Sequence, residues 1–222
     1  MKTSMAICGG LGSLILAATA SAGYVGLSAD TQTHSGTNVL GQSWHVDVVR
    51  LYVDLSDSMD RVDSVFGSVD NELVIGTTGS FFQVAAGGDS SLQINAALFA
   101  VYNSLEHDTF VTIGKTNSAG DALLVQAVDF SNFNTEVRTD NGTWTVTPDD
   151  AQGMALDGRV LIGQFSFDHG TGGVDSMYGN VNLQGKNADG STWQVTDKWL
   201  PAPGALALLG LAGIAGRRRR RN

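Results

Sequence analysis

The hydrophobic residues of this chain come in short runs with a two-residue beat, and Gly, Asn or Asp cuts off most of them before they reach helical length. Segments 43–53, 61–69, 72–77, 80–85, 109–114, 122–130, 143–147, 160–167, 178–186 and 191–198 all read this way. Short strands at a spacing of about 8–15 residues, with turn formers between them, predict an all-β chain folded as an antiparallel β-sandwich or jelly roll. A parallel α/β arrangement would need helical crossovers that the pattern lacks. The last two segments make the clearest hairpin. Val181 and Leu183 alternate with Asn180, Asn182 and Gln184, residues 187–190 read Asn-Ala-Asp-Gly, and Trp193 and Val195 alternate with Thr192, Gln194 and Thr196. Such alternation predicts one dry face and one wet face. In 160–167 the same reasoning puts Leu161, Phe165 and Phe167 on one face. One short helix is expected near 95–105, where Leu98, Phe99, Val101, Tyr102 and Leu105 share a helical face behind Asn95 as N-cap.

Charge separates the body from the ends. All 22 acids lie in 23–200 together with seven Lys and Arg, a local net charge of −15 that the whole-chain value of −9 conceals. The remaining bases are Lys2 and the run Arg217, Arg218, Arg219, Arg220 and Arg221. A body without a basic patch argues against nucleic-acid binding, which requires Lys and Arg to neutralise phosphates. With 42% hydrophobic and 16% charged residues the composition is that of a globular chain. Only Pro148 interrupts the body and no linker divides it, so 23–199 is read as a single β-sandwich domain.

Residues 1–22 read as a secretory signal peptide. Lys2 supplies the positive start, 7–18 is an uncharged apolar core, and Ala20-Ser21-Ala22 fits the small-x-small rule, so cleavage is expected after Ala22. Cys8, the one cysteine, falls inside this leader, so a mature chain carries no thiol and no disulfide. At the other end, 200–222 combines a Pro motif (Pro201, Ala202, Pro203, Gly204), a short uncharged apolar segment and the arginine run. As a transmembrane helix the apolar segment is short, and the arginines would hold that end in the cytoplasm.

This three-part tail resembles the PEP-CTERM sorting signal of bacterial exported proteins processed by exosortases, with Ala202 where the family has Glu. Residues 200–204 also resemble an LPxTG sortase signal, with Pro203 where that signal has the Thr that carries the acyl bond. The resemblance to PEP-CTERM implies export, transient membrane anchoring, and cleavage near the Pro motif. Its partners would be a signal peptidase and an exosortase-type enzyme, and its destination the cell surface or extracellular matrix. Segments 110–114, 147–153 and 156–165 look similar to uncharacterised secreted proteins with the same kind of tail.

Few residues in the body point to chemistry. Asp54, Asp57, Asp60 and Asp63, three apart, are candidate Ca²⁺ ligands but lack the alternate-oxygen, sixth-position-Gly pattern of an EF-hand; a solvated turn is the competing reading. Asp149-Asp150 and 168–173 (Asp-His-Gly-Thr-Gly-Gly) read as polar loops. The histidines His34, His45, His107 and His169 are scattered and make no HExxH, and His107 between Glu106 and Asp108 is expected to titrate upward. No catalytic residues and no cofactor are assigned. Trp44, Trp144, Trp193 and Trp199 are either core residues or a sugar-stacking platform. The expectation is therefore an exported, non-enzymatic β-domain protein. The alternatives are a carbohydrate-binding module acting on extracellular polysaccharide or, less favoured, a glycan-active hydrolase.

Overall fold

The computed structural model describes residues 23–199. The leader with its cleavage site at 20–22, the Pro motif at 201–204 and the arginines at 217–221 lie outside the described residues, as does the apolar segment expected to be a transmembrane helix. Among the described residues no helix is long and apolar enough to cross a membrane.

The described chain is all-β, with two antiparallel sheets packed as a sandwich. In chain order the strands are β1 Tyr24–Thr37, β2 Ser43–Leu55, β3 Arg61–Phe66, β4 Leu73–Thr77, β5 Phe110–Val111 and β6 Leu124–Gln126, then β7 Glu136–Thr139, β8 Thr143–Thr145, β9 Arg159–Asp168, β10 Met177–Lys186 and β11 Thr192–Trp199. One sheet has the order β1-β2-β9-β5; the other runs β6-β8-β3-β10-β4-β7, with β11 also paired to β10. Alternation drives the packing. From β2, Val49, Leu51, Val53 and Leu55 face the inter-sheet core, where they join Phe165 and Phe167 of β9. The second sheet answers with Val62, Val65, Leu73, Ile75, Trp144, Val181, Leu183 and Trp193. A smaller cluster of Ile94, Leu105 and Phe110 lies under the connection between β4 and β5.

The β10–β11 hairpin forms as its alternation predicts. Val181 and Leu183 are fully buried, Trp193 is 3% exposed, and the Asn187 amide donates to the Ser191 carbonyl across a turn closed by Gly190 at φ +84°. Asn182 departs from the wet face expected of it. It is fully buried, and its amide donates to the carbonyls of Phe66 and Asn71 at 3.0 and 2.7 Å, because the β3–β4 connection covers that face of the strand.

Other expectations need correction. Segment 80–85 is not a strand: the Phe81 and Phe82 amides donate to the Asn134 and Ser166 carbonyls and the Val84 amide to the Asp108 carboxylate, so no ladder forms. Segment 61–69 ends as a strand at Phe66, 122–130 shrinks to β6 where Ala127 takes φ +53°, and 109–114 shrinks to β5. The helix over 95–105 is replaced by two 3-10 turns, Ala96–Leu98 and Asn103–His107. Asn95 does cap the first, accepting from the Ala97 amide at 3.0 Å. The helix stops at Tyr102 (φ −117°, ψ 76°) because the Asn103 side chain is held by the first hairpin, donating to the Thr37 carbonyl and accepting from the Trp44 indole. Finally, Leu161 does not share a face with Phe165 and Phe167. The β2–β9 register slips between Leu51↔Gly163 and Tyr52↔Leu161. This bulge at Ile162 turns Val160 and Ile162 into the core and Leu161 outward.

Candidate functional site

The bulge in β9 shapes the first candidate site. Beyond it Tyr52, Leu161 and Arg159 point away from the core and line an open cleft of about 490 Å³, closed on the other side by residues 114–116 and 151–157. The Arg159 guanidinium carbon sits over the Tyr52 ring, 4.0 Å from its centre, and the side chain reaches past β2 to pair with Asp30 on strand β1. Gln152 is committed to the scaffold. Its amide donates to the Ile113 carbonyl at 2.8 Å and to Asp121 at 2.7 Å, while its oxygen accepts from the Ala122 amide at 2.9 Å. Lys115 is half-buried at the rim and makes no ion pair with a described residue. Leu156 adds an apolar edge, 77% exposed. The cleft thus offers an aromatic-backed guanidinium on strand β9 and, from the β5–β6 connection, an ammonium without an ion pair among the described residues. Asp157 supplies a carboxylate to its lining.

The second candidate lies where β1 and β2 turn into each other, and sequence spacing gave no sign of it. The four histidines, far apart along the chain, stack there in two pairs. His34 lies on His107 with ring centres 4.2 Å apart, and Trp44 leans on His107 at 5.0 Å. On the other face of the strands, His45 stacks on His169 at 3.9 Å. The register Val46↔Asp168 sets the His45–His169 meeting, and the 3-10 turn Asn103–His107 brings His107 to His34 from outside the ladders; neither is visible before the fold is known. His107 is 9% exposed, and its pKa is pushed down to about 4, first by burial and then by His34. The upward shift expected from its acidic neighbours does not occur: desolvation outweighs Glu106, and Asp108 turns away to accept from the Val84 and Thr109 amides. Burial in turn raises the Asp108 pKa to about 7, against those amide hydrogen bonds.

The candidate Ca²⁺ aspartates do not share a centre. Asp54 accepts from the Ser28 hydroxyl at 2.7 Å, and Asp57 holds the Met59 amide at 2.8 Å. Asp60 is buried and staples two turns together, accepting from the Ser56 hydroxyl, the Asp57 amide and, across to the β10–β11 turn, the Ala188 amide at 2.8 Å. Asp63 pairs with Arg61 at 3.2 Å, and burial raises its pKa despite that charge; Arg61 also reaches Asp149, which Lys186 approaches at 3.5 Å. Among the described residues no three His, Cys, Asp or Glu side chains stand ready around one ion. Trp144 and Trp193 are buried, in strands β8 and β11 that flank β3 and β10, so neither joins a surface platform. Trp44 is half-buried and bonded through its indole to Asn103. The Trp199 side chain lies outside what is described.

Comparison with protein-family models, with curated proteins and with solved structures finds no match to this chain.

Proposed function

We propose that the chain is an exported, non-enzymatic β-sandwich protein, displayed at the cell surface or held in the extracellular matrix, with the leader 1–22 and the exosortase-type tail 200–222 as its addresses. The observation that carries this reading is the way the body begins. Gly23 is the first residue after the expected cleavage point. Its amide donates to the Ser56 hydroxyl at 3.1 Å, and its carbonyl accepts from the Ser56 amide at 2.9 Å. Strand β1 starts at the next residue. Cutting after Ala22 would therefore leave an intact edge strand. Mass spectrometry of the protein recovered from cells and medium tests the proposal. A species that starts at Gly23 and ends near Pro201 is the expected result, and an exported pool that retains the arginine run overturns the processing step.

A second reading, saccharide binding, is favoured by the cleft rather than by the tryptophans. A guanidinium over the Tyr52 ring beside a half-buried Lys115, which has no ion pair among the described residues, suits the hydroxyl and carboxylate groups of an extracellular polysaccharide. A glycan array probed with the protein and with its Lys115→Ala variant tests it. Saccharide signals that fall in the variant support the reading, and an array without signal removes it.

A further inference from the structure

We propose that His45 and His169 form a two-imidazole site for a divalent transition-metal ion, with Asp47 as the outer partner that orients His169. The fold makes the two histidines cross-strand neighbours: Val46 pairs with Asp168, and the His169 amide donates to the His45 carbonyl at 2.9 Å. The side chains share a face, with stacked rings, and both reach solvent, His45 being exposed and the His169 side chain 49% exposed. Imidazole nitrogens on adjacent strands are a natural chelating pair for Zn²⁺, Ni²⁺ or Cu²⁺, which prefer nitrogen donors, whereas Ca²⁺ and Mg²⁺ demand oxygen.

Asp47 lies two residues along β2 from His45, on the same face. Its oxygens lie 2.9 and 3.0 Å from His169 Nδ1. The carboxylate is itself held by the Thr33 hydroxyl at 2.6 Å and the Gly170 amide at 3.2 Å. With the Asp47 carboxylate against Nδ1, Nε2 is the His169 nitrogen left for a metal, the carboxylate–histidine arrangement common behind metal ligands. The two rings lie only 20° from parallel, so their nitrogens do not yet converge. Solvent-exposed His45 closes the pair by rotating about its side-chain torsions, a motion of picoseconds to nanoseconds. Two protein ligands leave the rest of the coordination shell to water. The surrounding body, at −15, draws divalent cations toward it. The other stacked pair does not qualify: His107 is buried against Trp44, and among the described residues no carboxylate holds its Nδ1.

Isothermal titration of the untagged full-length chain with Ni²⁺ tests the site. We expect one-to-one binding that weakens at least about tenfold in His45→Ala and in His169→Ala, weakens about tenfold in Asp47→Asn, and is unchanged in His34→Ala. Thermal melts without metal establish that each variant is folded. Paramagnetic broadening by Cu²⁺ in the unmutated chain gives a second readout, expected at the His45 and His169 ring protons. Absence of Ni²⁺ binding, binding that survives both histidine variants, or broadening centred on His34 and His107 overturns the proposal.

Discussion

His107 and Asp108 are sequence neighbours whose protonation opposes in sign. For His107 the folded pKa of about 4 lies below the ordinary 6.5, so its contribution to stability is present above 6.5 and is lost as pH falls towards 4. For Asp108 the folded pKa of about 7 lies above 3.8, so its contribution is present below 3.8 and is lost as pH rises through 7. Between about pH 4 and 6.5 the two slopes offset each other. Asp108→Asn is expected to leave the His107 slope alone, so that stability measured by urea unfolding climbs with pH across this window relative to the unmutated protein. His107→Asn is expected to do the reverse. Asp60 acts through its hydrogen bonds. Replacing it by Ala strands the Ala188 and Asp57 amides at a buried junction between two turns, and should cost about 3 kcal/mol in the same assay.

At the scale of the element, what could be read beforehand tracks how each strand is buried. Strands β2, β9, β10 and β11 carry Val, Leu, Phe and Trp on a face that must be dry, and their segments were identifiable to within a few residues. The longest strand, β1, was invisible. Its YVGLSADTQTHSGT sequence lies at a sheet edge, half-buried or exposed along its length, and so needs no hydrophobic beat. The short edge strand β7 was missed as well. Segment 80–85 had the beat but sits between partners that offer isolated carbonyls and a carboxylate, so burial of Phe81 did not imply a ladder. The bulge at Ile162 inverted the parity of Leu161, and with it the composition of the cleft; no local propensity announces a one-residue slip. The His45–His169 pair depends on that same β2–β9 register, while His107 reaches His34 from a 3-10 turn. Amide hydrogen exchange gives the element-scale prediction: β9 and β10 should exchange only through global unfolding, while the outer amides of β1 exchange orders of magnitude faster. Uniform protection across β1 would contradict its edge position.

For the whole molecule, the sheets are built from pairings remote in sequence. Val49 pairs with Phe165 and Val65 with Leu183, so each sheet joins early strands to late ones. Refolding from urea should accordingly take milliseconds to seconds rather than microseconds, and stopped-flow fluorescence of the buried Trp144 and Trp193 reports it. A chain whose β2 must wait for β9, and β3 for β10, cannot complete either layer until most of it has left the ribosome. Any machinery that engages the first twenty-odd residues during synthesis would then meet a still-extended polypeptide, which is the form a narrow secretory pore can thread.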